Sequence, residues 1–264
     1  CWHLMKKPNS SRRSFIGQLA PMGLAFLAGG MAVSAALRDQ AFGKEKLTDE
    51  QICRRKFTLA ANESLQKRTM GEVMVAVGAS FIATPYVANT LETLDDERLI
   101  VNLRGLDCVT FVENTLALSR CILKGAHTFD EFKEELKFIR YRGGILNGYP
   151  SRLHYFSDWI DDNETKNVIR NISQEIGGMP YEKKLAFMST HPASYKQLSN
   201  QRYLQTIIEI ESDINHRQHY YIPKEQLKSV EQKIEPGDII GITTSIEGLD
   251  IAHTGMAIRT NGVL

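Results

Sequence analysis

A cysteine at the start of a predicted helix is the residue in this sequence best placed to act as a nucleophile. Asp107 follows a Gly-Leu turn and can serve as an N-cap, residues 108–124 contain neither Pro nor Gly, and Gly125 can end the helix. Cys108 would then occupy the first helical position, where unpaired N–H groups and the helix dipole favour a thiolate. The charge of Asp107 opposes this effect unless its carboxylate is occupied in capping. The alternative is a small buried apolar cysteine, the commoner role of a free thiol.

The remaining cysteines, Cys1, Cys53 and Cys121, have no comparable position. Cys121 falls near the C-terminal end of the same predicted helix, where the dipole disfavours a thiolate, and Cys53 fits the interior of an earlier helix. These two could pair in an oxidising compartment, and the sequence leaves that open. Four scattered cysteines without a CxxC pair or a Cys/His cluster predict neither a disulfide framework nor a metal site, and no cofactor is expected.

His253 is the candidate general base. It lies on a predicted strand, Ile251 to Arg259, where residues alternate between faces, and Gly255 beside it leaves room for a ligand or another backbone. A histidine on an apolar strand face is more often a satisfied core residue than a base. Cys108 and His253 together favour a catalytic role more strongly than either does alone. A cysteine at the start of a helix, far upstream of a histidine on a strand, is the arrangement of papain-like nucleophilic catalysis.

The elements that must position these residues run from helices to strands. Thr48 with Gln51 forms a capping box for a first helix. The sequence predicts further helices near residues 71–81 and 108–124, from about residues 127–130 to 141 and from Tyr195, and strands at 239–243 and 251–259. Asn261-Gly262 is a two-residue hairpin signal. Helices first and strands last predict an α+β fold, in which a helical part with the nucleophile at a helix N-terminus packs on a C-terminal antiparallel sheet.

Several segments together resemble one family of hydrolases. Leu106 to Glu113 is similar to the nucleophile motif of the NlpC-type papain-like cysteine hydrolases, and more narrowly to their N-acetylmuramoyl-L-alanine amidase-like branch. Segments matching the same branch occur in order at residues 85–92, 152–160, 187–189, 221–223 and 248–255. The resemblance runs from about Leu47 to the end of the chain, and it implies a papain-like fold.

The resemblance also implies roles for individual residues. Cys108 would attack an amide carbonyl, and His253 would activate it and protonate the leaving amine. Tyr86 matches a tyrosine that approaches the nucleophile and helps to hold the oxyanion, with a buried aromatic as the alternative. Arg152 is expected to bind a substrate carboxylate and Tyr155 to stack on the substrate, with an aromatic core segment as the alternative. Trp159 is expected in the core.

A third polar residue should orient the imidazole, and the resemblance places it shortly after Leu264. We therefore expect a C-terminally truncated domain that lacks its last strands, with the hairpin turn at residues 261–262 leading into the stub of a returning strand.

The first 43 residues are expected to be an export signal and linker, and residues 44–264 the papain-like hydrolase domain. A basic stretch containing Arg12 and Arg13 precedes an apolar segment and a small-residue cleavage site, and it resembles a twin-arginine signal. The protein is thus expected to be periplasmic or extracellular, the alternative being a membrane anchor formed by an uncleaved signal. A net charge of +1 with interspersed acids and bases makes nucleic acid a poor candidate partner.

The predicted function is a cysteine amidase acting on peptidoglycan fragments (muropeptides), at the bond between N-acetylmuramic acid and L-alanine. Three alternatives stay open. The first is an endopeptidase that cuts between D-glutamate and diaminopimelate, the second an acyltransferase that uses the same Cys–His pair, and the third a non-catalytic cell-wall-binding module.

Overall fold

The computed structural model describes residues 47–93 and 96–264. The predicted export signal and linker, residues 1–43, lie outside the described residues. Among the helices that are described, none combines the length and the apolar character needed to cross a bilayer.

The described part of the chain contains eight α-helices, and side-chain caps define the start of the longest ones. Capping boxes begin the first four helices, at Thr48, Thr69, Asp107 and Thr128, so each cap satisfies N–H groups that have no intrahelical acceptor. The helices are α1 (Asp49–Asn62), α2 (Met70–Ala79), α3 (Cys108–Lys124), α4 (Phe129–Arg140), α5 (Phe156–Thr165), α6 (Phe187–Thr190), α7 (Gln201–Asn215) and α8 (Leu227–Val230). The predicted helix 108–124, with its Asp cap and its Gly125 end, is confirmed.

Two small antiparallel sheets complete the described fold. Strands β1 (Met179–Pro180) and β2 (Tyr220–Tyr221) pair with each other, as do β3 (Ile239–Thr243) and β4 (Ile251–Met256). In the second sheet Ile242 lies opposite His253, and the register shifts by a bulge between Ile242 and Thr243. The expected α+β class with a C-terminal antiparallel sheet is confirmed.

The largest core cluster joins the first five helices and receives one face of the second sheet. Fully buried side chains from α2 to α5, such as Val73, Leu118, Leu136 and Trp159, form its centre, and Trp159 is therefore a core residue as expected. Met256 of β4 packs against this cluster. Strand β4 thus lies directly on α2 and α3 and is brought to the helix that begins with Cys108.

Two boundaries differ most from the sequence prediction. The helix expected from Tyr195 begins at Gln201, because the side chain of Asn200 caps the N–H of Arg202 and the preceding residues form 3₁₀ turns. Strand β4 ends at Met256 instead of Arg259. Beyond it, hydrogen bonds at Ala257 join the chain to the turn at residues 236–238.

The hairpin turn at Asn261-Gly262 is confirmed. Both residues have positive φ (53° and 81°), as a type I′ turn requires, and Thr260 pairs with Val263 across it.

Candidate active site

Cys108 is the first residue of α3, and the cap before it has the geometry that the sequence predicts. The carboxylate of Asp107 accepts hydrogen bonds from the backbone N–H and the hydroxyl of Thr110, both at 2.8 Å. The Asp107 N–H donates in turn to the Thr110 hydroxyl at 2.8 Å. The Asp107 carboxylate is therefore occupied in capping, and the sulfur atom lies where the helix dipole favours negative charge.

His253 and Thr254 of β4 meet the thiol of Cys108. Burial is the largest influence on the pKa of Cys108 and raises it, but a hydrogen bond with His253, a hydrogen bond from the Thr254 N–H and the charge of His253 outweigh it, so that the pKa lies below its ordinary value. The hydrogen bond with Cys108 likewise raises the pKa of His253. Each group thus favours the charged form of the other, which is the condition for a thiolate–imidazolium pair.

The side chain of His253 is exposed, so the alternative of a satisfied core histidine does not describe it. Thr254 points the other way: it is buried, and its hydroxyl donates to the carbonyl oxygen of Cys108 at 2.9 Å. Gly255 is not approached by another backbone, since a Cβ placed there would meet nothing within 4 Å in the described structure.

The hydroxyl of Tyr86 also interacts with the thiol of Cys108. Its segment pairs with the residues before Cys108, the Val87 N–H donating to the Leu106 carbonyl at 2.9 Å. Gly105 permits this close approach, because a Cβ there would lie 2.6 Å from a methyl carbon of Val87. Burial first, and then the negative charges of Cys108 and Asp107, raise the pKa of Tyr86 to about 12. Its hydroxyl therefore stays protonated and can donate a hydrogen bond.

A cavity of about 140 Å³ opens beside Cys108 and His253, and ion pairs form part of its lining. Glu113 pairs with Arg140 at 2.7 Å, both side chains being 2% exposed. Arg152 pairs with Glu92 at 2.9 Å and with a further carboxylate, that of Glu97, at 3.2 Å. Fixed charges of both signs therefore lie next to the thiol.

The two predicted substrate-binding residues after the nucleophile helix differ in their positions. Arg152 lines the cavity, but Glu92 and Glu97 already hold its guanidinium. Tyr155 is 2% exposed and lies outside the cavity lining. Its hydroxyl donates to Glu211 at 2.6 Å and accepts from the Met188 N–H at 2.9 Å, so Tyr155 packs between α5 and the α6–α7 region, as in the alternative of an aromatic core segment.

The two other described cysteines are free and lie in the core. Burial is the main reason that the pKa values of Cys53 and Cys121 are both raised to about 12. Neither thiol would ionise near neutral pH, and both pKa values shift in the direction opposite to that of Cys108.

Sequence analysis missed several residues that the structure brings to the cavity, among them Glu113, Arg140 and Asp250. Glu113 does not share the helix face of Cys108, and the sequence therefore predicts no role for it at the thiol. The available signal is a charged residue within the otherwise uncharged stretch 109–118, which indicates a buried partner. In residues 47–93 and 96–264, no group of three or more His, Cys, Asp or Glu side chains is arranged to hold a metal ion.

Comparison with known proteins identifies the family. The family model described as N-acetylmuramoyl-L-alanine amidase-like matches residues 76–264. Two crystal structures of an N-acetylmuramoyl-L-alanine amidase from Bacteroides uniformis are each 34% identical and cover 74% of this chain and 82% of theirs, with TM-scores of 0.69 and 0.68.

Two other solved structures are similar in fold. A Bacteroides fragilis protein provisionally named a xylanase is 36% identical and has a TM-score of 0.64 over 72% of this chain and 83% of its own. A Legionella pneumophila protein with 21% identity and a TM-score of 0.57, covering 81% of this chain and 80% of its own, shares the fold alone. A search among curated proteins found no match. From the family match and the 34% identity to the Bacteroides uniformis enzyme, the chain belongs to the N-acetylmuramoyl-L-alanine amidase-like family.

Proposed function

We propose that this protein is an exported cysteine amidase of papain-like, NlpC-type design that hydrolyses the bond between N-acetylmuramic acid and L-alanine in peptidoglycan fragments. One observation carries the catalytic part of the proposal. The thiol of Cys108 lies at a helix N-terminus and interacts with the imidazole of His253 and the hydroxyl of Tyr86, and its pKa is lowered although it is partly buried. Buried thiols elsewhere in the chain show the opposite shift.

The geometry supports a two-step acyl transfer. The Cys108 thiolate attacks the amide carbonyl carbon, and the tetrahedral oxyanion accepts a hydrogen bond from the Tyr86 hydroxyl. His253, as the imidazolium, gives its proton to the leaving amine, and the C–N bond breaks to leave a thioester on Cys108. A water molecule then attacks the thioester, neutral His253 takes its proton, and the carboxylic acid leaves while the thiolate is restored.

The choice of bond rests on the family and on its Bacteroides uniformis member, which is named for this amide. Export rests on the sequence pattern of the first 43 residues and on the location of peptidoglycan outside the cytoplasm. An endopeptidase that cuts between D-glutamate and diaminopimelate would use the same cysteine and histidine. The two activities are therefore distinguished by identifying the reaction products.

The experiment is digestion of purified muropeptides followed by mass spectrometry. We expect wild type to release the intact stem peptide with L-alanine at its amino end, together with the free sugar. Cys108→Ala should lose turnover entirely, whereas Cys53→Ala and Cys121→Ala, which alter thiols remote from the cavity, should retain it. Wild-type turnover by Cys108→Ala would remove the nucleophile assignment.

The products also test the remaining alternatives. A sugar that still carries L-alanine and D-glutamate would mean an endopeptidase. A product joined to an added amine would mean an acyltransferase, and tight binding of muropeptides without any product would mean a binding module.

A further inference from the structure

Strand β4, which contains His253, is fixed to helix α5 by the residue that immediately precedes the strand. Asp250 immediately precedes β4 and is 2% exposed. Its carboxylate accepts a hydrogen bond from the backbone N–H of Ser157 at 2.8 Å, across 93 residues of sequence. Ser157 lies in the first turn of α5, whose N-cap residue, Tyr155, provides no side-chain cap. Because the first N–H groups of a helix have no intrahelical acceptor, Asp250 supplies the cap that α5 lacks.

Backbone contacts fix the same segment. The Asp250 carbonyl accepts from the Tyr181 hydroxyl at 3.1 Å and from the Thr244 N–H at 3.2 Å. Two residues earlier, the Gly248 carbonyl accepts from the Phe187 N–H at 2.9 Å. Gly248 has a φ of 73°, and a Cβ there would lie 2.8 Å from the Phe187 nitrogen, so a glycine is required. The path of the chain into β4 is therefore set by contacts on several sides.

The position of the His253 imidazole depends on the path of the chain into β4. In the described part of the chain, no side chain other than Cys108 hydrogen-bonds to its ring. After His253, the strand is tied to α3 by the hydroxyl of Thr254 on the Cys108 carbonyl. Asp250 provides the corresponding contact before His253. Only three residues lie between Asp250 and Thr254, so the two contacts together limit where the imidazole can lie relative to the thiol.

We infer that Asp250 is a positioning residue: by capping α5 it holds the start of β4 where His253 meets Cys108. The inference rests on the proposed roles of Cys108 and His253 as nucleophile and base. Asp250 acts through its hydrogen bond, so an uncharged acceptor of the same shape should replace it. If the contact merely stabilised α5, its loss would lower the melting temperature without changing the chemistry of Cys108.

The test compares Asp250→Ala, which removes the acceptor, with Asp250→Asn, which keeps it. Leu136→Ala is the matched control: it leaves a destabilising cavity in the core beside α4, and Leu136 does not line the active-site cavity. The first readout is the pH dependence of Cys108 alkylation by iodoacetamide, followed on the Cys108 peptide by mass spectrometry. The variants leave unchanged the groups that act on the pKa of this thiol, which are His253, Asp107 and Tyr86. They also leave unchanged the other charged residues that line the same cavity, Glu92, Glu113, Arg140 and Arg152. Asp250→Ala and Asp250→Asn remove the same charge, so a difference between them reports the loss of the hydrogen-bond acceptor.

We expect Asp250→Ala to shift the alkylation profile to higher pH and to slow labelling at neutral pH about 10-fold, since small displacements of a catalytic group have effects of this size. With muropeptide as substrate, kcat should fall about 10- to 100-fold while KM changes little. Asp250→Asn should restore most of both losses, and Leu136→Ala should show neither.

A wild-type alkylation profile and kcat in Asp250→Ala would overturn the inference, and so would an Asp250→Asn variant as impaired as Asp250→Ala. If Asp250→Ala does not fold, Asp250→Ser, whose shorter side chain cannot reach the Ser157 N–H, is judged by the same criteria. A wild-type protein whose Cys108 is not alkylated ahead of Cys53 and Cys121 would instead overturn the proposed function itself.

Discussion

At the scale of single residues, the reactivity of Cys108 comes from its neighbours as much as from the helix that it begins. Burial alone would raise its pKa, as it does for Cys53 and Cys121, which reach about 12. The hydrogen bond with His253 and the N–H of Thr254 reverse that effect. A helix N-terminus therefore indicates a candidate thiol in a sequence, but the contacts from β4 are what make this thiol acidic.

Removal of His253 should return Cys108 to the behaviour of an ordinary buried thiol. In His253→Ala the hydrogen bond and the positive charge that lower the Cys108 pKa are both lost while burial remains, so the alkylation midpoint should move to higher pH. Turnover should fall at least about 100-fold, because the base is lost as well. His216→Ala, which alters an exposed histidine outside the cavity lining, is the control.

The shifted pKa values of Cys108 and His253 also determine the shape of the wild-type pH profile of kcat/KM. The acid limb of kcat/KM should lie below the ordinary cysteine value of 9.0, because the Cys108 pKa is lowered, and the alkaline limb above 6.5, because the His253 pKa is raised. Since the two groups are coupled, both limbs belong to the pair. An unchanged alkylation midpoint in His253→Ala would contradict the pairing.

At the scale of elements, the sequence predicts contacts that lie within a few residues of each other and misses those that join distant segments. The capping of α3 by Asp107 could be predicted, since a cap and its helix are adjacent. The capping of α5 by Asp250 could not, because the donor and acceptor are 93 residues apart and no periodicity links them. Tyr155 is a second example: the sequence allows either a stacking residue or an aromatic core residue at this position, and the structure shows that the side chain is buried.

The cap of α3 itself gives a test at this scale, because Asp107 has two separable effects. Its carboxylate caps the helix, and its charge raises the pKa of Cys108. Asp107→Asn keeps an acceptor for the Thr110 N–H but removes the charge, so the alkylation profile should move to lower pH at little cost in stability. Asp107→Ala also removes the charge, but should cost about 0.5–2 kcal/mol of unfolding free energy.

Urea denaturation and alkylation of the same samples separate the two effects. A shift of the alkylation profile to higher pH in Asp107→Asn would mean that the charge of Asp107 favours the thiolate, which contradicts the expected effect.

At the scale of the whole molecule, buried ion pairs join the elements behind the active-site cavity. Arg140, at the end of α4, donates to Glu113 of α3 at 2.7 Å and to the carbonyl of Ile100 at 2.6 Å. Burial raises the pKa of Glu113, and the pairing with Arg140 opposes that rise. Two helices and the segment before α3 are thereby held together by charges that are almost fully buried.

The Glu113–Arg140 pair should therefore behave unlike a surface ion pair when it is broken. Glu113→Ala leaves the guanidinium of Arg140 buried without its counter-charge and should cost about 3–5 kcal/mol of unfolding free energy. Replacement of both partners, Glu113→Leu with Arg140→Met, removes the uncompensated charge and should recover most of that loss. The control is Glu134→Ala with Lys137→Ala, an exposed pair on the same α4, which should cost only about 0–1 kcal/mol. Urea denaturation of the single and double variants gives the coupling energy, and a loss below about 1 kcal/mol in Glu113→Ala would mean that water or another residue compensates Arg140 and that the pair does not hold α3 and α4 together.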